Sequence, residues 1–104
     1  MKFLFLFLIL SSFSAVALSQ ENADLKKLVE TERAFARMAA EKSTKEAFLH
    51  FFADDGIVFE PTAVNAKDVW SKRPDSVGLL SWEPVWADIS ADGTIGYTTG
   101  PWEF

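Results

Sequence analysis

The chain has 104 residues, with ten Lys and Arg against fifteen Asp and Glu for a net charge of −5, one His and no Cys. An acidic surface repels phosphate backbones and anionic lipid heads, which counts against nucleic-acid binding and peripheral membrane binding. Without cysteine there are no disulfide staples, no thiolate nucleophile and no thiolate-held metal, so stability rests on a packed core.

The N-terminus reads as a secretory signal. Lys2 supplies the positive region, Phe3 to Leu10 an unbroken apolar run of eight residues, and Ala17-Leu18-Ser19 a small-x-small cleavage site ahead of Gln20. An uncleaved anchor is the competing reading, but a spanning helix needs about 20 predominantly apolar residues and this stretch falls short. Residues 1–19 are therefore expected to be removed, leaving 20–104 as a single domain, secreted or periplasmic, with no stable membrane association. Cleavage removes Lys2 and makes the domain more acidic by one unit. A chain of this size buries only about 60–65% of its unfolded surface. Four Trp, Tyr97 and the Phe residues partly offset that.

From Asn22 the apolar residues Leu25, Leu28, Val29, Phe35, Ala36 and Ala39 recur at the spacing of one helical face, predicting a first helix to about Lys42. A second helix starts at Ser43, the cap of an S-x-x-E box with Glu46, and carries Ala47, Phe48, Phe51 and Phe52 on one side. Asp54-Asp55-Gly56 ends it in a turn, and Ile57 to Glu60 is a short strand stopped by Pro61. Asn65 caps a short third helix, Ala66 to Ser71, anchored by Val69 and Trp70. Two long strands follow, Leu79 to Ser90 and Thr94 to Phe104, joined by Ala91-Asp92-Gly93.

A three-residue loop with Gly93 in the left-handed position pairs Ser90 with Thr94, Ile89 with Ile95, Ala87 with Tyr97 and Val85 with Thr99. Strand parity then gathers Trp82, Trp86 and Trp102 on the other face. A two-residue Asp92-Gly93 turn pairs Ile89 with Gly96 and Glu83 with Trp102, a poorer match of like with like, so the three-residue loop is preferred.

This order of elements, together with ADDGIVFEP, LSWEPVWADIS and GYTTGPWEF, resembles an exported branch of the SnoaL-like part of the nuclear transport factor 2-like superfamily, over about Leu25 to Phe104. The resemblance implies an α+β fold: N-terminal helices packed on a strongly curved antiparallel sheet, a cystatin-like cone around an apolar pocket. It also implies a homodimer formed through the sheet, and two further strands beyond Phe104, so the chain reads as incomplete. Superfamily enzymes such as ketosteroid isomerase, scytalone dehydratase and limonene epoxide hydrolase set a few polar groups in such a cone, but none of their catalytic patterns is visible here.

Acid–base work in an apolar pocket needs a carboxylate or imidazole tuned by burial, plus a donor for developing charge. His50 is the one imidazole, but it lies off the Phe48, Phe51 and Phe52 stripe and reads first as a helix-surface residue. Asp88 shares the parity of Trp82 and Trp86, which offers a general base, although the hairpin loop two residues away brings water close. Asp54 and Asp55 read as solvated turn residues rather than cation ligands, and a lone His does not make a zinc site, so no metal and no cofactor are expected. Glu60, Tyr97 and Thr99 offer polar groups to a pocket, and Trp82, Trp86 and Trp102 offer flat apolar surface, each against a plain packing role. The leading expectation is an exported domain that binds a small apolar or aromatic molecule. The alternatives are an acid–base enzyme of the isomerase, dehydratase or hydrolase type, and a dimerisation or interaction module.

Overall fold

A computed structural model describes residues 23–104. The expected signal segment lies outside the described residues. Helix α1 runs through residues 23–41, α2 is Thr44–Phe51 and α3 is Ala66–Lys72. The strands are β1 (Ile57–Phe59), β2 (Ala63–Asn65), β3 (Ser81–Trp82), β4 (Trp86–Ile89), β5 (Gly96–Thr99) and β6 (Trp102–Glu103). The class is α+β, with antiparallel pairs β1–β2, β3–β6 and β4–β5. These are three small two-stranded sheets in place of the single strongly curved one that was expected.

The helix boundaries follow from their caps. The Ser43 hydroxyl accepts from the Glu46 amide at 3.1 Å, and the Asn65 carbonyl oxygen accepts from the Asp68 amide at 3.0 Å, each satisfying a donor with no partner inside its helix. One alanine per helix, Ala39, Ala47 and Ala66, is buried, so the helix backbones lie close to their surroundings. The bulk of the interior is aromatic. Phe35 of α1 contacts Phe48 and Phe51 of α2 at centroid distances of 4.8 and 4.9 Å, and Phe48 stacks on Trp70 of α3 at 4.1 Å.

The single strand expected at Ile57 to Glu60 is one arm of a hairpin. β2 pairs with β1 through Val58 opposite Val64, across a turn containing a cis Glu60–Pro61 peptide. The three residues of β2, of which the last, Asn65, is also the α3 cap, are too few to show an alternation in sequence.

The long ribbon departs from the expected register. Ile89 pairs with Gly96, Asp88 with Tyr97, Ala87 with Thr98 and Trp86 with Thr99, which is the pairing attributed to the two-residue turn. The loop itself is wider, closed by the Ser90 amide donating to the Ile95 carbonyl at 2.7 Å, with Gly93 at φ +72° as its left-handed residue. Asp92 organises it: one carboxylate oxygen accepts from the Ser90 hydroxyl at 2.8 Å, the Thr94 hydroxyl at 2.7 Å and the Thr94 amide at 3.1 Å. This Asp-centred network outweighs matching Ile89 to Ile95, and it holds the Asp92 carboxyl below its ordinary value, the Thr94 and then the Ser90 hydroxyl being the main causes.

Further along, Trp82 pairs with Trp102. Glu83, Pro84 and Val85 therefore span the same stretch as Gly100 and Pro101, so the first strand carries one extra residue, a β-bulge. Pro84 has no amide to donate, and the ladder passes over it: Glu83 donates to the Pro101 carbonyl at 3.4 Å and Val85 to the Thr99 carbonyl at 2.9 Å. A side chain on residue 100 would collide with the Glu83 carbonyl, so the crossing admits only glycine without adjustment.

The extra residue reverses strand parity, and the expected grouping of Trp82, Trp86 and Trp102 fails for that reason. Trp82 and Trp102 stay together as a cross-strand pair, while Trp86 joins Asp88 and Tyr97 on the outward face of β4 and β5. Its indole N–H donates to the Tyr97 hydroxyl at 3.1 Å, and both side chains are exposed. The inward face carries half-buried Ala87, Ile89 and Thr98, and meets Leu28 of α1 at Gly96.

Candidate functional site

Helices α1 to α3 and the β3–β6 end of the ribbon border an open cavity of about 870 Å³, with Trp102 and Phe104 exposed at its rim. Its apolar wall comes from all four sources: Phe35, Phe48, Trp70, Trp82, Trp102 and Phe104. The Trp82 ring stands edge-on to Phe35 at 4.8 Å and lies 5.9 Å from Phe48, so β3 is fixed against both helices by aromatic contact. Phe104 closes over the segment before β3, its ring occupying the place a side chain on residue 78 would take. At the helical end, the buried Thr44 hydroxyl accepts from the Leu80 amide at 3.4 Å and ties that segment to the start of α2.

Few polar groups enter this wall, and most are spoken for. Arg73 caps α3, lies over the Trp70 ring with its guanidinium carbon 4.4 Å from the centroid, and ion-pairs with Glu60. Lys45 donates to the Arg73 backbone carbonyl at 2.6 Å, a favourable place for a cation because helix C-termini are electronegative. Glu83 pairs with Arg33 at 3.0 Å. Glu32, half-buried on α1, accepts the Trp82 indole N–H on Oε1 at 2.6 Å.

Of the residues singled out from sequence, Trp82, Thr99 and Trp102 line this cavity. Glu60 stands beside it, holding Arg73, which does line it. Trp86 does not line it; Tyr97 and Asp88 instead border a shallow cleft of about 260 Å³ on the hairpin. His50 is exposed on α2, its ring 4.9 Å from Phe51, and is not in the cavity wall. Asp54 is engaged by Lys67 at 2.5 Å, and the hydrogen bond and charge of that ammonium hold its carboxyl below the ordinary value. Among the described residues no three acidic or imidazole side chains converge as metal ligands, and no helix is long and apolar enough to cross a membrane.

The polar residues that sequence reasoning passed over are Glu32, Lys45 and Arg73. Glu32 carried a legible signal: it sits four residues after Leu28, three before Phe35 and four before Ala36, a carboxylate inside the apolar stripe of α1. Arg73 had none, because its position over Trp70 depends on how α3 ends. No known protein family, curated protein or solved structure matches this chain significantly.

Proposed function

We propose that this chain is an exported domain that binds a small, mostly apolar molecule in the ring-lined cavity between the helices and the β3–β6 end of the ribbon. The cavity carries the reading: about 870 Å³ lies within the range of roughly 300–1,000 Å³ occupied by small-molecule sites, and its few polar groups fit an orienting role. Export rests on the residue 1–19 pattern, which predicts a mature chain beginning at Gln20. Membership of the SnoaL-like branch, with these strands as part of a curved cone wall, is supported by the order of helices, hairpin, helix and long ribbon. A homodimer through the outward face of β4 and β5 is supported by exposed Trp86, Ile95 and Tyr97.

A second reading, acid–base catalysis, is favoured by one observation: Glu32 sets a carboxylate among Phe35, Trp82 and the rest of the apolar wall. The test of the primary reading uses the neutral probe N-phenyl-naphthylamine. Saturable uptake is expected, lost when Thr98→Trp fills the cavity and kept in Trp86→Phe on the opposite face. Absence of saturable uptake by the folded wild-type protein overturns the binding reading. Turnover that survives as binding but is lost as chemistry in Glu32→Gln would move the conclusion to the second reading.

A further inference from the structure

The charges around the cavity are unevenly matched. Both cations of the wall have local partners, Arg73 in Glu60 and the Trp70 ring, Lys45 in the Arg73 carbonyl. Glu83 is neutralised by Arg33, and Asp75 is exposed to solvent. Glu32 differs from all of these. Its hydrogen-bond donor is a neutral indole, and among the described residues no Lys or Arg stands within 4.0 Å of its carboxylate. Oε1 takes the Trp82 N–H, and Oε2 accepts no hydrogen bond among the described residues.

We propose that the cavity takes an organic cation, an ammonium group on an apolar body, with the ammonium against Glu32 and the body among the rings. This rests on the cavity being a small-molecule site. A carboxylate beside aromatic walls attracts a cation more strongly than one in open water, because the low local dielectric screens it less. The rings add to this, since the negative face of an aromatic quadrupole favours ammonium groups over neutral or anionic ones. The Trp82 N–H fixes the Glu32 side chain in place, so little side-chain freedom remains to be lost on binding. The net charge of −5 raises the local concentration of cations and opposes anions.

The test compares three molecules of one shape but different charge, phenylbutylamine, phenylbutanol and phenylbutyrate, as competitors of bound N-phenyl-naphthylamine at neutral pH and low salt. Phenylbutylamine is expected to compete about tenfold more tightly than phenylbutanol, with phenylbutyrate weakest. In Glu32→Gln, which keeps an acceptor for Trp82, the amine-to-alcohol ratio falls several-fold, to the smaller preference that the rings and the net charge supply. Equal competition by the amine and the alcohol, or a preference for phenylbutyrate, overturns the cation inference and leaves the cavity as an apolar site. A ratio unchanged in folded Glu32→Gln overturns the assignment to Glu32. Failure of the probe to bind wild type overturns the pocket reading itself. If Glu32→Gln does not fold, the wild-type ratio decides, because the shared body cancels the apolar contribution.

Discussion

Replacing Gly100 by alanine tests the bulge that separates the tryptophans. The added methyl would strike the Glu83 carbonyl oxygen, with the Glu83 carbonyl carbon at 3.0 Å and Pro84 Cα at 3.2 Å behind it. All three are backbone atoms, so the two strands must part, since no side chain can rotate away. Forced overpacking costs about 1–3 kcal/mol. Parting the strands also weakens the bonds from Glu83 to Pro101 and from Val85 to Thr99, each contributing about 0.5–1.5 kcal/mol net. Against this stands about 0.4–1 kcal/mol from restricting the unfolded chain. The expected loss is about 2–4 kcal/mol, large for a domain whose total stability is of order 5 kcal/mol. Urea unfolding followed by tryptophan fluorescence reads it as a lower midpoint at unchanged slope. Gly96→Ala is the comparison: its nearest obstacle is Leu28 Cδ2 at 2.7 Å, which can rotate, and the one backbone atom near it, the Asp88 carbonyl oxygen at 3.1 Å, need give only a few tenths of an ångström, so about 1 kcal/mol is expected. A Gly100→Ala variant within about 0.5 kcal/mol of wild type would refute the close crossing and the bulge argument built on it.

Phe48 touches Phe35, Phe52, Trp70 and Trp82, so Phe48→Ala is expected to cost about 3 kcal/mol or more and to remove near-ultraviolet circular dichroism before helical signal; retention of that fine structure would contradict the ring cluster. Asp92 has a folded value below its ordinary 3.8. Its contribution to the hairpin is therefore complete above that value and lost as pH falls through the lower folded one. The protection factor of the Ile95 amide, with the intrinsic pH dependence of exchange divided out, should fall on acidification in wild type but not in Asp92→Asn, and parallel behaviour of the two would remove Asp92 as the cause.

The helices were legible because their signals are local. The α1 stripe, the Ser43 and Asn65 caps and the Phe48 face depend only on spacing along one element, and each stands where it was expected. Ribbon register was not legible, because it is decided between strands. Side-chain matching favoured Ile89 opposite Ile95, whereas three donors converging on Asp92 set the loop one step differently. The bulge compounds this, since a single extra residue exchanges the faces of everything beyond it, and its effect on Trp86 depends on how many residues the partner strand uses. The site was legible in part. Trp82, Thr99 and Trp102 belong to the ribbon, but Glu32 was missed because the α1 reading followed only the apolar positions, and Arg73 is placed by packing alone.

No large side chain among the described residues is fully buried, and four half-buried rings of the interior, Phe35, Phe48, Trp70 and Trp82, also line the cavity. Wall and core thus share these rings, so occupancy and foldedness are thermodynamically linked. A molecule that fills the space supplies the contacts a closed interior would have had, and raises the melting temperature in proportion to the logarithm of its concentration over its dissociation constant. Melting temperature therefore reports on any occupant of the cavity, and a thermal-shift screen of compound collections tests the binding reading directly.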